Sequence, residues 1–391
     1  MRFSENFILD NSKFVICSRC VMDTSVPEIT FDEKGECNYC KLHDALSADN
    51  PNDERGTRYL KDLVYKIKKQ SFKKKYDVVV GVSGGTDSTY LLHLSKELGL
   101  RPLAVHLDNG WNTDISVANL RNVLEATNTD LYTHVINWNE FRDILLAYLK
   151  SGLPWADAPT DLAILSTLYR AANKFDVSYV FVGNNFRTEG KQPTAWTYTD
   201  GRLLAYIQKK FGSVKIDTFP NLLLQDIIYF TLFKNIKIYR PFYHINYNKN
   251  EAKKLISRLY NWKDYGGHHH ENIFTRYIIG VWLYQKFEID KRKVTFSAYI
   301  RNGELTRDEA IRKLMAPPYE PNIIREDHIY VAKKLGLTLS EFDKIWENPP
   351  RTFTDYPSYY PLFLKFSWFA NSFLRYLMPF KPMMTYRIDK I

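Results

Sequence analysis

Hydrophobic and polar residues follow two periodicities in the middle of the chain, and together these predict strands that alternate with helices. A continuous β-branched run at 78–80 follows Asp77 and is typical of a strand buried on both faces. Three further apolar runs predict strands at 102–107, 132–136 and 179–182. Helical spacing predicts helices at 58–70, 89–98, 115–126, 140–149 and 161–173. This alternation indicates an α/β fold with a doubly wound parallel sheet.

The C-terminal third of the chain has a mainly helical pattern, with helices predicted at 249–260, 273–287, 306–315 and 326–335. The patterns divide the chain into a cysteine-rich module (1–45), a charged connector with a helix (46–75), the α/β domain (76–248), a helical substrate or partner region (249–350) and an aromatic tail (351–391). Lys365, Asn371 and Arg375 interrupt the tail, so we expect it to pack on the parent domain or a partner rather than on a membrane.

The composition is that of an ordinary globular protein, with 45% hydrophobic and 25% charged residues among 391. The sequence has no apolar stretch long enough to cross a membrane and no recognisable signal peptide, so a cytoplasmic protein is expected. The net charge of +10 suits an anionic partner, which could be nucleic acid, a nucleotide sugar or a membrane surface. Charge alone does not choose among these partners.

All four cysteines lie in the first 40 residues as two pairs, Cys17 with Cys20 and Cys37 with Cys40. Two CxxC pairs at this separation can supply four thiolates to a tetrahedral Zn²⁺. A site closed by four sulfurs has no position for a reacting water, so the predicted metal is structural. An iron–sulfur cluster is the alternative.

The predicted first strand runs into a glycine turn and then a helix, a geometry that binds phosphate through backbone N–H groups at the helix start. The turn residues are Ser83, Gly84, Gly85, Thr86, Asp87 and Ser88. The turn is not a Walker loop, because no Gly-Lys-Ser/Thr follows it. An ordinary strand-to-helix turn capped by Asp87 is the alternative interpretation.

The string SGGxDS resembles the pyrophosphate (PP) loop of the HUP-like ATP pyrophosphatases, which hold the β- and γ-phosphates and cut ATP between α and β. The resemblance implies that Asp87 meets Mg²⁺ among the phosphates. Many of these enzymes have a lysine where this chain has Thr86, so we expect Lys191 or Arg187 to supply the missing charge. The resemblance also makes Glu189 the second Mg²⁺ candidate.

Other loops should converge on the same sheet edge, because ligands of doubly wound sheets bind beyond the carboxyl ends of the strands. Asp108 follows the second strand and is a candidate for contact with ribose or adenine. Gly183 and Asn184 follow the fourth strand. Arg240 follows a later short apolar run, and this resembles the end of a late strand in many of the same enzymes. The segment from Tyr265 to Glu271, with two glycines and three histidines, is either an active-site loop or a surface turn. Candidates for the substrate side are Asp161, His270, Glu271 and Arg276.

The cysteine count limits the chemistry that this chain can perform alone. If all four cysteines bind zinc, none remains to carry sulfur or to hydrolyse glutamine. If ammonia is the nucleophile, another chain must therefore produce it.

The strings CSRCVMDT (17–24), CNYC (37–40) and GVSGGTDSTY (81–90) resemble the N-acetyl-sugar amidotransferase family, as do TDL (160–162), DYGG with Glu271, and IDKRK (289–293). The resemblance covers about 14–316 and weakens in the aromatic tail. It implies an enzyme of bacterial surface polysaccharide biosynthesis, including lipopolysaccharide O-antigen. Such an enzyme converts the acetamido group of a nucleotide-activated N-acetyl sugar to an acetamidino group with ATP and ammonia. It implies two partners: a glutaminase resembling that of histidine biosynthesis, and a cyclase-like barrel subunit.

Two rival functions remain at this point. Zinc knuckles, adenylation and positive charge also suit a tRNA-thiolating enzyme of the same fold, which would bind RNA in a salt-dependent manner. A non-catalytic module that keeps ATP affinity for regulation is the other rival. The preferred interpretation is the sugar amidotransferase, which needs no nucleic acid.

Overall fold

A computed structural model describes residues 3–267 and 270–366. Its central feature is a five-stranded parallel sheet of order β3-β2-β1-β4-β5. The strands are β1 (Val78–Gly81), β2 (Pro102–Asp108), β3 (Leu131–Val135), β4 (Tyr179–Phe181) and β5 (Lys237–Tyr239). The chain builds outward from β1 in one direction and then returns to its other side, so the switch in strand order lies between β1 and β4. A ligand site is expected at the carboxyl edge of this switch.

Helices surround the sheet and form the C-terminal region. In chain order they are α1 (Asn38–Asp49), α2 (Glu54–Gln70), α3 (Thr86–Glu97), α4 (Asp114–Thr127), α5 (Trp138–Ser151), α6 (Ala158–Lys174), α7 (Phe186–Glu189), α8 (Thr194–Thr197), α9 (Gly201–Phe211), α10 (Leu224–Ile228), α11 (Lys249–Tyr260), α12 (Ile273–Tyr277), α13 (Arg292–Arg301), α14 (Arg307–Leu314), α15 (Pro321–Lys334) and α16 (Leu339–Glu347). Two π-helical segments, Tyr229–Phe233 and Ile278–Lys286, continue α10 and α12.

Each face of the sheet is covered by a separate hydrophobic layer. One layer contains apolar residues of α2, α3, α4 and α11 packed on alternate residues of β1, and the other contains residues of α6 and the Tyr229–Phe233 segment. Val78 and Val80 face the first layer and Val79 faces the second, and all three are fully buried. The continuous apolar run of β1 follows from this burial on both faces.

A third core joins the cysteine-rich module to the C-terminal helices. Met22 and Tyr39 of the module pack in the same cluster as Phe141 of α5 and Trp282 of the second π-helical segment. The Lys293 ammonium forms a fully buried ion pair with Asp23 at 2.7 Å. Helix α1 runs through position 45, where the sequence pattern placed the end of the cysteine-rich module. The first and last parts of the chain therefore fold together.

The beginning of the aromatic tail packs on the parent domain. Tyr356 donates a 2.6 Å hydrogen bond to the Ser151 carbonyl, and Phe353 stacks on Tyr198 with ring centroids 4.4 Å apart. The rest of the tail, including Asn371 and Arg375, lies outside the described residues. In the described parts of the chain, no helix has both the length and the apolar character needed to cross a membrane.

The predicted fold class is confirmed: a doubly wound parallel sheet is combined with an N-terminal four-cysteine cluster and a helical C-terminal region. The strand positions agree with the pattern to within a residue or so, and β5 ends immediately before Arg240 as expected. The single helix predicted at 273–287 is instead a short α-helix followed by a nine-residue π-helix.

Candidate active site

The turn after β1 has the shape that phosphate binding requires. Gly84 has φ +78°, and a Cβ there would lie 2.0 Å from the Ser116 carbonyl oxygen, so only glycine fits. Ser88 Oγ accepts from Ser83 N at 3.1 Å, and Ser83 Oγ accepts from Gly85 N at 3.2 Å. These bonds fix the turn around its own serines. All six predicted loop residues, 83–88, are therefore in place at the carboxyl end of β1 and the start of α3.

The Asp87 carboxylate is held by two side chains from a distant part of the sequence. Tyr247 donates its hydroxyl to Oδ1 at 2.5 Å, and Lys249 donates its ammonium to Oδ2 at 2.8 Å. Burial alone would lower the pKa of Lys249, but the charge of Asp87 outweighs it and holds that pKa well above its usual range. Lys249 is therefore a cation at physiological pH. Neither Tyr247 nor Lys249 was among the predicted site residues.

The fourth strand brings Gly183, Asn184 and Glu189 to this edge. A Cβ on Gly183 would touch Asp87 at 3.4 Å, so the β4 loop lies directly against the phosphate loop. Asn184 Nδ2 donates to Glu189 Oε2 at 3.4 Å. Burial first, and then the carboxylates of Asp87, Glu304 and Glu189, raise the pKa of Tyr299 on α13. Tyr299 therefore lies near enough to both predicted Mg²⁺ carboxylates for their charges to act on it.

A segment of the C-terminal region covers the phosphate loop; we call residues 262–267 and 270–273 the strap. Trp262 Nε1 donates to the Gly84 carbonyl at 3.0 Å, and the Tyr265 hydroxyl accepts from Thr86 N at 3.2 Å. The Glu271 Oε1 atom lies 3.2 Å from the place that a Cβ on Gly85 would take. The predicted candidate Glu271 is therefore next to the phosphate loop, as an active-site loop requires.

The strap is attached to the loop that follows β2. Thr113 N donates to the Glu271 carbonyl and Ile273 N donates to the Trp111 carbonyl, each at 3.0 Å. In the same loop, Asp108 Oδ1 accepts from Gly110 N at 3.0 Å and so caps the turn. The predicted contact of Asp108 with ribose or adenine stays a prediction.

Asp161 belongs to a cluster with an aromatic ring and a lysine. Its Oδ2 accepts from Trp155 Nε1 at 2.7 Å, and the Lys291 ammonium lies 4.0 Å from the centroid of the Trp155 ring. Burial lowers the pKa of Lys291 to about 8, although the charges of Asp161, Glu189 and Asp157 oppose the shift. The IDKRK string that contains Lys291 thus contributes to the same cluster as the TDL string that contains Asp161.

His270 and Arg276 lie further along the strap and beyond it. The His270 ring contacts Tyr319 edge-on, with centroids 5.0 Å apart. Arg276 forms a bidentate pair with Asp327 on α15, with N–O distances of 2.8 and 2.6 Å. The observed contacts of Arg276 hold α12 against α15, and its predicted role toward a sugar stays a prediction.

Arg187, proposed as a phosphate cation, instead donates to the Tyr243 and Asn50 carbonyls, which fixes it inside the protein.

The four cysteine sulfurs form a compact cluster. Their Sγ atoms all lie within 4.8 Å of one another, and the Cys20–Cys37 and Cys37–Cys40 distances are both 3.7 Å. A tetrahedral zinc with ligands at about 2.3 Å places its sulfurs roughly 3.8 Å apart. A [4Fe–4S] cluster is larger than a single ion, so the cysteine sulfurs that bind one lie further apart than the Sγ atoms of this cluster. The spacing therefore fits a single metal ion such as zinc.

Two arginines of the C-terminal region surround this cluster. Arg301, at the end of α13, donates from Nε to Cys40 Sγ and from Nη2 to Cys20 Sγ, each at 3.2 Å. Arg307 donates to the carbonyls of Cys17 and Cys20. Donors to metal-bound thiolates orient the ligands and reduce their negative charge. The cysteine spacing predicted the site, but nothing local in the sequence indicated Arg301, which is 261 residues from Cys40.

The C-terminal part of the chain matches a family of lipopolysaccharide biosynthesis proteins. Residues 271–369 match the family model described as "LPS biosynthesis protein WbpG-like, C-terminal domain". The match begins at Glu271 of the strap and continues through the helical region into the aromatic tail, further than the resemblance predicted. For this quarter of the chain, the recognition of a surface polysaccharide family is confirmed. Among proteins with curated descriptions, none matches the chain.

Several solved structures resemble the chain weakly. NMN synthetase from Francisella tularensis has a TM-score of 0.32 and 15% identity over 72% of this chain and 97% of its own. The U34-tRNA thiolase NcsA from Methanococcus maripaludis, solved with its [4Fe–4S] cluster, has a TM-score of 0.32 and 15% identity over 68% of this chain and 82% of its own. The NH3-dependent NAD synthetase from Campylobacter jejuni has a TM-score of 0.28 and 13% identity over 72% of this chain and 97% of its own. These TM-scores are too low to identify an activity.

Proposed function

We propose that this chain is an ATP-dependent amidotransferase of surface polysaccharide biosynthesis, including lipopolysaccharide O-antigen. Its substrate would be a nucleotide-activated N-acetyl sugar, whose acetamido group becomes an acetamidino group. The observation that carries the proposal is the position of Glu271 beside Gly85, with its Oε1 atom 3.2 Å from the place that a Cβ on Gly85 would take. Glu271 is the first residue of the segment that matches the lipopolysaccharide family, and it lies against the phosphate loop.

The proposed reaction has two steps. The amide oxygen of the sugar attacks the α-phosphorus of ATP, the bond to the β-phosphate oxygen breaks, and pyrophosphate leaves. Ammonia then adds to the carbon of the adenylated imidate, the bond to AMP breaks, and a proton is lost to give the amidine. Adenylation is needed because an amide carbonyl is a weak electrophile and its oxygen is a poor leaving group.

The chain's own residues would position these groups. The N–H groups at the start of α3 and the serines of the loop would hold the pyrophosphate end of ATP. Asp161 and the strap, with Glu271 and His270, would face the sugar. Ammonia would come from a separate glutaminase acting with a cyclase-like barrel subunit, because all four cysteines are gathered in the metal-type cluster.

Two metals belong to the proposal. Asp87 and Glu189, with Asn184 beside them, offer oxygen atoms of the kind that Mg²⁺ prefers, and Mg²⁺ would neutralise charge on the phosphates. The four cysteines would hold a structural zinc, whose donor set leaves no position for a substrate.

The test is a reaction with purified protein, Mg²⁺, ATP, labelled ammonium and a set of acetamido nucleotide sugars. AMP and pyrophosphate should accumulate beyond the amount of enzyme only when both sugar and ammonium are present, and the label should enter the sugar as detected by mass spectrometry. The Asp87→Ala variant should lose this activity. Release of AMP that depends on tRNA, with tight RNA binding at physiological salt, would support the tRNA rival instead. ATP binding without turnover under any of these conditions would support the regulatory module.

A further inference from the structure

The phosphate loop of this chain lacks a lysine of its own, yet a lysine ammonium lies within it. Thr86 stands where many loops of this type carry lysine, and it is 1% exposed. Lys249 comes from the first turn of α11, 162 residues after Asp87, and reaches its carboxylate at 2.8 Å. Its side chain is only 13% exposed. This lysine therefore occupies the anion-binding end of α3.

The segment between β5 and α11 places Lys249 accurately. β5 ends at Tyr239, and Phe242 of the following turn stacks on Tyr247 with ring centroids 4.2 Å apart and planes only 3° from parallel. Tyr247 in turn donates to Asp87, and Asn248 caps α11 by accepting from Glu251 N at 3.0 Å. The backbone around Lys249 is thus fixed on both sides, and the long side chain spans the distance from α11 to the Asp87 carboxylate.

Lys249 lies at the start of α3, among groups that can bind a phosphate oxygen. The charges of Lys249 and Tyr265 influence each other's pKa, and the Tyr265 hydroxyl accepts from Thr86 N at 3.2 Å. An ammonium, a backbone N–H and a tyrosine hydroxyl therefore converge at the start of α3. A polyphosphate beside Asp87 would be repelled unless a cation lay between them.

We propose that Lys249 is the phosphate-binding lysine of this loop, and that its ammonium moves from Asp87 to the β- or γ-phosphate when ATP binds. This proposal rests on the proposed function as far as the nucleotide is concerned. Asp87 is then available to Mg²⁺, so a single side-chain movement serves both ligands. Arg187 cannot take this role, because its guanidinium donates to the Tyr243 and Asn50 carbonyls.

The test compares binding of Mg·ATP, pyrophosphate and AMP by titration calorimetry. Lys249→Met should weaken ATP and pyrophosphate by at least about tenfold, since a charge-assisted contact contributes roughly 1.5–3 kcal/mol. AMP, which has no β- or γ-phosphate, should bind as it does to the unchanged chain. Lys249→Arg keeps the charge and should bind pyrophosphate within a few fold of the unchanged chain.

Lys254→Met is the matched control, because Lys254 lies on the same helix and pairs with Glu251 at 2.8 Å on an exposed face. It should leave all three affinities unchanged. The double variant Asp87→Asn with Lys249→Met removes the unpaired carboxylate that the single change would create. It should fold as well as the unchanged chain and still bind pyrophosphate weakly.

Three outcomes would overturn the proposal: unchanged pyrophosphate binding in Lys249→Met, a parallel loss for AMP, or no binding of ATP and pyrophosphate to the unchanged chain. A parallel loss would mean that Lys249 only maintains the structure. If pyrophosphate binding depends on Lys249 but no acetamido sugar is converted, the role of Lys249 stands and the proposed function fails.

Discussion

Gly84 is the residue on which the shape of the phosphate loop depends most directly. Gly84→Ala would place a Cβ 2.0 Å from the Ser116 carbonyl oxygen at φ +78°. The loop would have to move away from α4, so we expect ATP binding to be lost. The free energy of unfolding should fall by more than the roughly 1–3 kcal/mol that a positive φ alone costs.

Gly303→Ala is the control for this prediction. Gly303 has nearly the same φ, +76°, but a Cβ there would meet nothing within 4 Å. It should cost only the roughly 1–3 kcal/mol of the positive φ and leave ATP binding unchanged. Urea denaturation and ATP titration of both variants make the comparison, and equal effects of the two substitutions would contradict the role given to the Ser116 contact.

Lys286 gives a prediction about pH. Its buried ammonium donates to the Ile345 and Trp346 carbonyls at 3.0 and 2.9 Å, and burial lowers its pKa to about 8. The unfolded chain, with a lysine pKa near 10.4, therefore binds more protons between about pH 8 and pH 10.4. Stability should rise with pH across that window.

The measurement is the free energy of unfolding at about pH 7 and about pH 10, in the unchanged chain and in Lys286→Met. The unchanged chain should gain about 1–3 kcal/mol relative to the variant. The comparison with the variant removes the contributions of Lys191 and Lys291, whose pKa values burial also lowers to about 8. A difference between the two proteins that does not change with pH would contradict the prediction.

At the residue scale, the sequence indicated the turn around Asp87 and, far along the chain, Glu271 of the strap. The string around Asp87 was sufficient, because a phosphate turn is made by consecutive residues. Lys249 and Tyr247 could not be found in this way, since a lysine at a helix start is more often a solvated surface residue. Their role follows from the packing of α11 on α3, which brings together residues 160 positions apart.

At the scale of elements, the strap is the part of the C-terminal region that lies over the phosphate loop and hydrogen-bonds to it. Its Tyr265 hydroxyl takes the Thr86 N–H that a phosphate oxygen would need. Tyr265→Phe removes this competitor but keeps the ring in its packing against Trp262. We expect pyrophosphate to bind more tightly by about two- to tenfold, as one net hydrogen bond allows.

Titration of pyrophosphate into Tyr265→Phe checks this prediction, with Tyr260→Phe as the control. Tyr260 bonds His93 at 2.6 Å on α3, away from the helix start, so its loss should not alter pyrophosphate affinity. Weaker binding in Tyr265→Phe would mean that the hydroxyl donates to the phosphate instead of competing with it.

The elements that the sequence predicted well are those with one clear periodicity. Strand β1 and helix α11 were found because burial on both faces, or on one face of a regular helix, leaves an unmistakable pattern. The segment Ile278–Lys286 was predicted as part of one helix at 273–287, but its π-helical form was not, because eight of its nine residues are buried and their pattern does not distinguish one helical period from another. Helix α1 was missed because it begins within the second cysteine pair, where metal ligands replace the usual pattern.

At the scale of the whole molecule, α13 connects the cysteine cluster to the candidate active site. Its last residue, Arg301, donates to two cysteine sulfurs, and the charges of Asp87 and Glu189 help to raise the pKa of Tyr299 on the same helix. Gly190, which follows Glu189, packs so closely on α13 that a Cβ would lie 2.6 Å from Val294 Cγ1. A displacement of α13 would therefore move Glu189. The cysteine cluster and the loop that carries Glu189 therefore both contact α13.

This connection predicts that metal removal affects nucleotide binding as well as stability. The purified chain should contain one zinc, and Cys40→Ser or a strong chelator should lower the melting temperature substantially, because metal binding contributes directly to folding. Loss of the ion removes the centre that holds the cysteine sulfurs beside Arg301, so α13 loses its fixed end. We expect pyrophosphate affinity to fall together with zinc content, measured by mass spectrometry of the metal and by calorimetry on the same samples.

Arg19→Gln is the control, since the Arg19 guanidinium pairs with Asp44 and Glu36 at the surface of the module rather than with α13. Zinc-free protein that is still folded and binds pyrophosphate normally would contradict this prediction. It would show that α13 keeps its position without the metal and that the metal stabilises only the cysteine-rich module.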